Sequence, residues 1–272
     1  MRGASRASLA EARERLDTEL SSADAATLGD ELFAVLRTLD REHVLRRALS
    51  DPARPAEQRG ELARAVLDGK VASSTAGFVA DAARLRWVRS IDLTDALERL
   101  AVIATVASAE TTPSGLDDLE DELFRFGRIV EAQPQLRAVL ADHRVSADRK
   151  ATLLTELLEG KTTQSTLRLI IEAATHPRGR SLERVLAEFG RIAAERRDRL
   201  VAVVRTAVEL SEQQKTRLAA ALSAQYDRDV HLNIEVDPSV MGGMSIRVGD
   251  EEIDGTIVRR LAEVRRRIER AS

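Results

Sequence analysis

Asp30-Glu31-Leu32-Phe33 returns 91 residues later as Asp121-Glu122-Leu123-Phe124, with no gap needed to align the two. In the same register Arg37 recurs as Arg128, Leu45-Arg46 as Leu136-Arg137, and Leu49-Ser50-Asp51 as Leu140-Ala141-Asp142. Nine of these 22 paired positions are identical, too many for coincidence in a chain rich in Ala, Leu and Arg. Further on, Leu67-Asp68-Gly69-Lys70 pairs with Leu158-Glu159-Gly160-Lys161, Ala82-Ala83 with Ala173-Ala174, and Arg89-Ser90 with Arg180-Ser181. A register kept over about 60 residues marks an internal duplication, which decides the architecture.

Both copies read as short amphipathic helices. Leu28, Leu32, Val35, Leu36 and Leu39 in the first, and Leu119, Leu123, Phe126 and Val130 in the second, recur at three-to-four spacing and so share one side of a 3.6-residue period. Breakers fall at matching places: Asp51-Pro52 and Pro55 against Asp142 to Ser146, then Gly69 against Gly160, each just past a leucine-ended helix. Glu57 and Asp148 take first-turn positions, where a carboxylate complements the helix dipole. Each copy is expected to hold five or six helices joined by short loops.

At Arg199 the period changes. Leu200 to Val208 is β-branched and nearly continuous, and Ser211 with Gln214 forms a capping box for a helix running to Tyr226. Val230, Leu232, Ile234 and Val236 then alternate with polar residues, as do Met244, Ile246 and Val248, the pattern of half-buried strands. Gly242, Gly243, Gly249 and Gly255 supply the turns of a small antiparallel sheet. Ile257, Leu261, Val264 and Ile268 stripe a final helix. The expected fold is mainly α: two tandem helical bundles, residues 1–105 and 106–198, followed by a small α+β C-terminal unit, residues 199–272.

Composition narrows the function. The 272 residues carry 42 Lys plus Arg against 45 Asp plus Glu, a formal charge of −3, without the basic excess of a nucleic-acid binder. There is no cysteine, so disulfides and thiolate metal sites are excluded, in keeping with a reducing compartment. Residues 1 to 20 are amphipathic and charged, unlike a secretory signal, and the longest nearly apolar run, Leu100 to Ala109, is half of the roughly 20 residues that cross a bilayer. No membrane insertion is expected.

Candidate catalytic residues fail on spacing. Gly160-Lys161-Thr162 has the ending of a phosphate-binding loop, but Thr155 stands where the leading glycine belongs and a helix precedes it. His43, His143, His176 and His231 are scattered and form no metal set. Arg84, Arg86 and Arg89 around Trp87 could stack and neutralise phosphates, yet Asp81 and Asp92 nearby favour a solvated helix end. In the last helix Arg259, Arg260, Arg265, Arg266, Arg267 and Arg270 flank the apolar stripe and could pair with an acidic partner helix. No catalytic residue, cofactor, metal or small-molecule substrate is expected.

The C-terminal run Val236-Asp237-Pro238-Ser239-Val240-Met241-Gly242-Gly243-Met244-Ser245-Ile246-Arg247-Val248-Gly249-Asp250, followed by Ile253-Asp254-Gly255-Thr256 and Arg259-Arg260-Leu261, closely resembles the signature of the delta-subunit family of F-type ATP synthases, the bacterial counterpart of the mitochondrial oligomycin-sensitivity-conferring protein. Its glycines suit tight turns, Gly249-Asp250 a hairpin, and Asp254 a helix cap. The resemblance extends through the second helical copy and, more weakly, the first. Family members commonly have one helical bundle, so the chain resembles a long form with a duplicated bundle.

The resemblance implies a non-catalytic stator protein at the cytoplasmic face of the cell membrane, which couples rotary torque to proton flow and ATP synthesis. Its expected partners are alpha subunits of the catalytic head, with beta subunits as a further candidate, and the b subunits of the peripheral stalk. By position, the family's alpha-binding groove between first and fifth helices would be the face around Leu9, Ala12 and Leu16 with Phe78, Val79 and Ala82, residues that equally suit a core. Arg259, Arg260, Arg266 and Arg267 are the candidate b-subunit contacts, and Asp237, Pro238, Gly242, Gly243, Gly249, Asp254 and Gly255 the signature turns and cap. A helical-repeat scaffold outside the synthase is the alternative that the duplication alone allows.

Overall fold

The computed structural model describes residues 3–111, 115–197, 200–226, 230–237, 240, 243–248 and 251–254. It divides into two compact units, Met1–Arg196 and Arg197–Ser272.

The first unit is all helical: α1 (Ala4–Leu20), α2 (Ala25–Arg41), α3 (His43–Ser50), α4 (Ala56–Leu67), α5 (Ser73–Arg84), α6 (Ser90–Ser108), a 3-10 turn (Ala109–Thr111), α7 (Gly115–Ala132), α8 (Pro134–Ala141), α9 (Ala147–Leu158), α10 (Gln164–Thr175) and α11 (Leu182–Arg197, whose last residue falls in the second unit). The duplication is visible in these bounds. A shift of 91 carries α4 onto α9 and α5 onto α10 end for end, and α2 and α3 onto α7 and α8 within a residue.

The shared sequence does the same work twice. Glu31, on α2, accepts hydrogen bonds from the Ala72 N–H (2.8 Å) and the Thr75 hydroxyl, and so secures the start of α5. Its counterpart Glu122, on α7, accepts from the Thr163 N–H (2.9 Å) and hydroxyl (3.0 Å) at the start of α10. These carboxylates complete the orphan N–H groups that every helix leaves at its N-terminus. Gly69 and Gly160 lie at φ 66° and 70°, each closing a turn in which the following lysine N–H reaches the last leucine carbonyl of α4 or α9. A left-handed backbone there favours glycine.

The two copies are joined through α6. It is the sixth helix of the first copy, and its stretch from Asp95 onward, with the 3-10 turn, lies at the 91-residue offset from α1. Leu93, Ala96, Leu97, Leu100, Ala101, Ile103 and Ala104 are all buried, so α6 is apolar nearly all round, as a central helix must be. One continuous core runs from Ala12 to Ala193. The expected boundary at residue 105 therefore falls inside a buried helix, and the structure gathers both copies into one unit, which differs from the three-part division read from the repeat.

The second unit contains β1 (Leu200–Thr206), α12 (Glu212–Tyr226), β2 (Val230–Val236), β3 (Met244–Val248) and β4 (Glu251–Asp254), with sheet order β2-β1-β3-β4. The capping box forms as expected: the Ser211 N–H donates to Gln214 (2.8 Å) and the Gln214 N–H to the Ser211 hydroxyl (3.3 Å). The expectation of a purely antiparallel sheet is corrected, because β1 pairs parallel with β2 while β3 is antiparallel to both β1 and β4. The reason is α12, whose length carries the chain back to the starting end of β1 and makes a β-α-β crossover. Ala202, Val204, Leu222, Val230, Ile246 and Val248 form the core of this unit. β3 and β4 pair antiparallel, as the hairpin expected at Gly249-Asp250 requires, although Glu251-Glu252-Ile253-Asp254 has a single apolar residue and shows no strand alternation of its own.

Of the signature positions, Gly243 has φ 80°, the conformation expected of the turn into β3. Asp237 follows β2 and donates its N–H to the Thr206 carbonyl (2.9 Å). Asp254 ends β4, opposite Ser245; the helix it was expected to cap, together with Arg259, Arg260, Arg266 and Arg267, lies outside the described residues, as do Pro238, Gly242, Gly249 and Gly255.

Candidate functional site

The structure brings the two halves of the expected groove together and turns most of it inward. Ala12 and Leu16 on α1 and Phe78, Val79 and Ala82 on α5 are buried, so these five residues pack beneath a surface instead of lining it, while Leu9 is half-buried and lines the cleft where the two copies meet. Beside them on the same two helices, Ala10 and Glu14 are exposed and Gly77 and Asp81 partly so. The Arg15 guanidinium lies 3.6 Å from Asp81 and crosses from one helix to the other.

The second copy shows what such a face accommodates. There α6 and α10 stand in the places of α1 and α5, and they carry α2. A Cβ built on Gly29 would stand only 2.5 Å from the Thr105 hydroxyl and 3.1 Å from the Thr105 nitrogen, so α2 approaches α6 as closely as a glycine permits. On the other side Arg168 reaches Asp30 (3.2 Å) and Glu172 accepts from Arg37 (2.8 Å), which ties α2 to α10. Ala101, Thr105, Arg168 and Glu172 correspond, at the 91-residue offset, to Ala10, Glu14, Gly77 and Asp81. The face that holds a helix in the second copy is thus open in the first, among the described residues.

A second polar feature lies where the copies meet, at a cleft of about 1340 Å³. Arg178 lines it at φ 52°, a left-handed conformation unusual for a residue with a side chain. Its guanidinium contacts Asp40 on α2 (2.7 Å) and Asp95 (3.0 Å) and Glu98 (2.9 Å) on α6, and donates to the Thr94 hydroxyl (3.0 Å). Arg180 adds a bond to Glu98 and another to Glu188 (2.8 Å). Burial pushes the Glu98 carboxyl above its ordinary value, and the two arginines only partly offset this. Burial alone would lower the Arg178 guanidinium, but the facing carboxylates outweigh it. This is a clamp between copies, with its charges committed to one another. Sequence reading missed it: the first copy has Trp87 at the position of Arg178, and that break in the repeat was the available signal.

The other chemical candidates resolve into structure. Lys161 donates to the Leu157 carbonyl (2.9 Å) in the turn that ends α9, so Gly160-Lys161-Thr162 is a helix terminus. Trp87 is buried and donates to the Ala82 carbonyl (2.8 Å), out of reach of any base, while Arg84 pairs with Glu57 and Asp81 and Arg89 with Asp92. Among the described residues no group of three or more His, Asp or Glu side chains is arranged to hold a metal ion, and no helix is long and apolar enough to cross a membrane.

A repeated set of helices packed around a shared central helix, followed by a small α+β unit, defines a helical-repeat structural protein. The model of the family described as ATP synthase delta (OSCP) subunit matches residues 103–268, which begin inside α6 and take in the second copy and the second unit. The chain is 53% identical over 268 residues to the ATP synthase subunit delta of Thermobifida fusca, covering 98% of this chain and 99% of that protein. It is 51% identical to the same-named proteins of Streptomyces griseus, over 270 residues, and Streptomyces avermitilis, over 268, each alignment covering 98% of this chain and at least 98% of the other. The chain belongs to the ATP synthase delta (OSCP) subunit family. It is a structural component of the peripheral stalk of F-type ATP synthase, without a catalytic role of its own, and these relatives share its long form.

Proposed function

We propose that this subunit holds the catalytic head to the stalk: a helix of an alpha subunit lies on the first copy, and the b subunits engage the C-terminal unit, so that torque is coupled to proton flow and ATP synthesis. The observation that carries the reading is the open α1–α5 face. Its counterpart on α6 and α10 is filled by α2, which leaves Ala10, Glu14, Gly77 and Asp81 as the seat of the same construction that, among the described residues, has no helix on it, with Ala12, Leu16, Phe78, Val79 and Ala82 as the packed floor beneath and Leu9 half-buried beside them. Small residues at Ala10 and Gly77 permit close approach of a helix backbone. A Cβ at Gly77 would meet nothing nearer than the Arg64 guanidinium at 4.0 Å. The division at residue 105 then has a functional sense, the first copy gripping the head while the second copy supports it. Arg259, Arg260, Arg266 and Arg267 pair with acidic positions of the b subunits, beta subunits are a further contact on the head, and the complex places the chain at the cytoplasmic face of the cell membrane.

The test is titration of the full chain with an alpha-subunit N-terminal segment. Gly77→Arg with Ala10→Arg fills the seat from exposed positions and weakens binding by roughly tenfold or more. Unchanged affinity with intact helical circular dichroism overturns the first-copy assignment. Replacing Arg259, Arg260, Arg266 and Arg267 by Glu abolishes capture of the b subunits in the same preparation, and undiminished capture removes those residues from the interface.

A further inference from the structure

The joint between the copies also has an unmatched half at the other end. On α2, Asp30, Phe33 and Arg37 lie at i, i+3 and i+7 and therefore form one stripe. The stripe is covered: Phe33 is 3% exposed, and the ion pairs of Asp30 with Arg168 and of Arg37 with Glu172 stand on either side of it. Arg168 and Glu172 are one turn apart on a single helix, α10. The identical stripe recurs on α7 as Asp121, Phe124 and Arg128, and there Phe124 is 68% exposed. Asp121 turns to Arg125 within its own helix (2.6 Å), and Arg128 to Glu131 (3.5 Å). Such exposed intrahelical pairs are weak and exchange readily for a partner across an interface.

We infer that the Asp121-Phe124-Arg128 stripe of α7 docks an amphipathic helix of another protein, one that presents an arginine to Asp121 and, one turn later, a glutamate to Arg128, with apolar residues over Phe124. Asp30 and Arg37 hold such a helix within this chain, with Phe33 buried between them, so the charge order and the register of the occupant are set by an internal template. A second chain of this protein does not fit. Its α5 has Gly77 where α10 has Arg168, and it would arrive with its own α1, which stands where α11 already lies, because neighbouring copies share one helix in that place. The occupant is a single helix from a different polypeptide. This inference is independent of the α1–α5 seat and of the identity of the head and stalk partners.

The probe is a labelled peptide of residues 163–176, the α10 sequence, cross-linked to stay helical and titrated by fluorescence anisotropy into the full chain. Binding is expected, with a loss of roughly tenfold or more for Phe124→Ser, whose solvent-facing position leaves the fold intact. The double variant Asp121→Arg with Arg128→Glu refuses this peptide and accepts one whose residues corresponding to Arg168 and Glu172 are exchanged. Absence of saturable binding by the unaltered chain, equal binding by Phe124→Ser, or failure of the exchanged pair to restore affinity overturns the inference. So does concentration-dependent dimerisation in sedimentation that Phe124→Ser abolishes, which would make a second chain the occupant.

Discussion

The second helix of each copy starts from one set of residues and finishes in different company. On α2, Phe33 is buried between the ion pairs that reach α10 and Gly29 lets the backbone lie against Thr105; on α7, Phe124 faces solvent and Glu120 stands at the position of Gly29. Inside the helices the copies behave alike, since Leu32 and Leu123 are both buried and Glu31 and Glu122 both cap the fifth helix of their copy. Repeated sequence therefore fixes what a copy does to itself. What it does to a neighbour depends on whether a neighbour is there, as expected of a repeat with two unlike ends.

The largest expected effect breaks the symmetry outright. Phe33→Ala empties a sealed site and lowers unfolding stability by about 3–5 kcal/mol, while Phe124→Ala changes it by about 0.5 kcal/mol or less, both read by urea titration. Equal effects would mean that Phe124 is buried in solution. A smaller effect sharpens the likeness: Glu31→Gln and Glu122→Gln each remove charge-assisted bonds to a helix start and cost a similar amount, about 1–2 kcal/mol. A difference of more than about 1 kcal/mol between them would show that the caps are not equivalent.

The smallest expected effect separates the copies by pH. Asp92 accepts from the Ser5 hydroxyl (2.8 Å), the Arg89 guanidinium (2.8 Å) and the Arg89 N–H (3.2 Å). Burial pushes its carboxyl up, but these bonds, led by Arg89 and then Ser5, prevail and hold it below the ordinary aspartate value of 3.8. A carboxylate depressed in the folded state stabilises above its unfolded pKa and loses that contribution as pH falls through the lower, folded value. Asp92→Asn accordingly destabilises the protein at pH 7 and converges with the parent below the folded pKa in thermal scans. The second copy has Ala96 in place of Ser5 and Glu183 in place of Asp92, so the bond from a serine hydroxyl to this carboxylate belongs to the first copy alone.

How much of this was legible depended on how local the cause was. Helix positions, the left-handed Gly69 and Gly160, the Ser211–Gln214 cap and the register of the duplication all follow from neighbours within a few residues, and the sequence carries them openly. The residues expected to line a groove, Ala12, Leu16, Phe78, Val79 and Ala82, are buried between their helices, because apolarity marks burial before it marks binding. Ala10 and Gly77 are too small to announce themselves. The Arg178 clamp rests on Asp40, Asp95 and Glu98 from the first copy, contacts that only tertiary packing creates. The parallel pairing of β1 with β2 likewise belongs to the path of the chain and leaves no mark on the alternation of either strand.

One helix has a mechanical meaning beyond its place in the core. α6 runs unbroken for 19 residues, about 28 Å of hydrogen-bonded rod, and both copies are built around it. Load applied to either copy reaches the other through this strut, which belongs to the core of both. Excising either copy by cutting within α6 would therefore remove a strut from both.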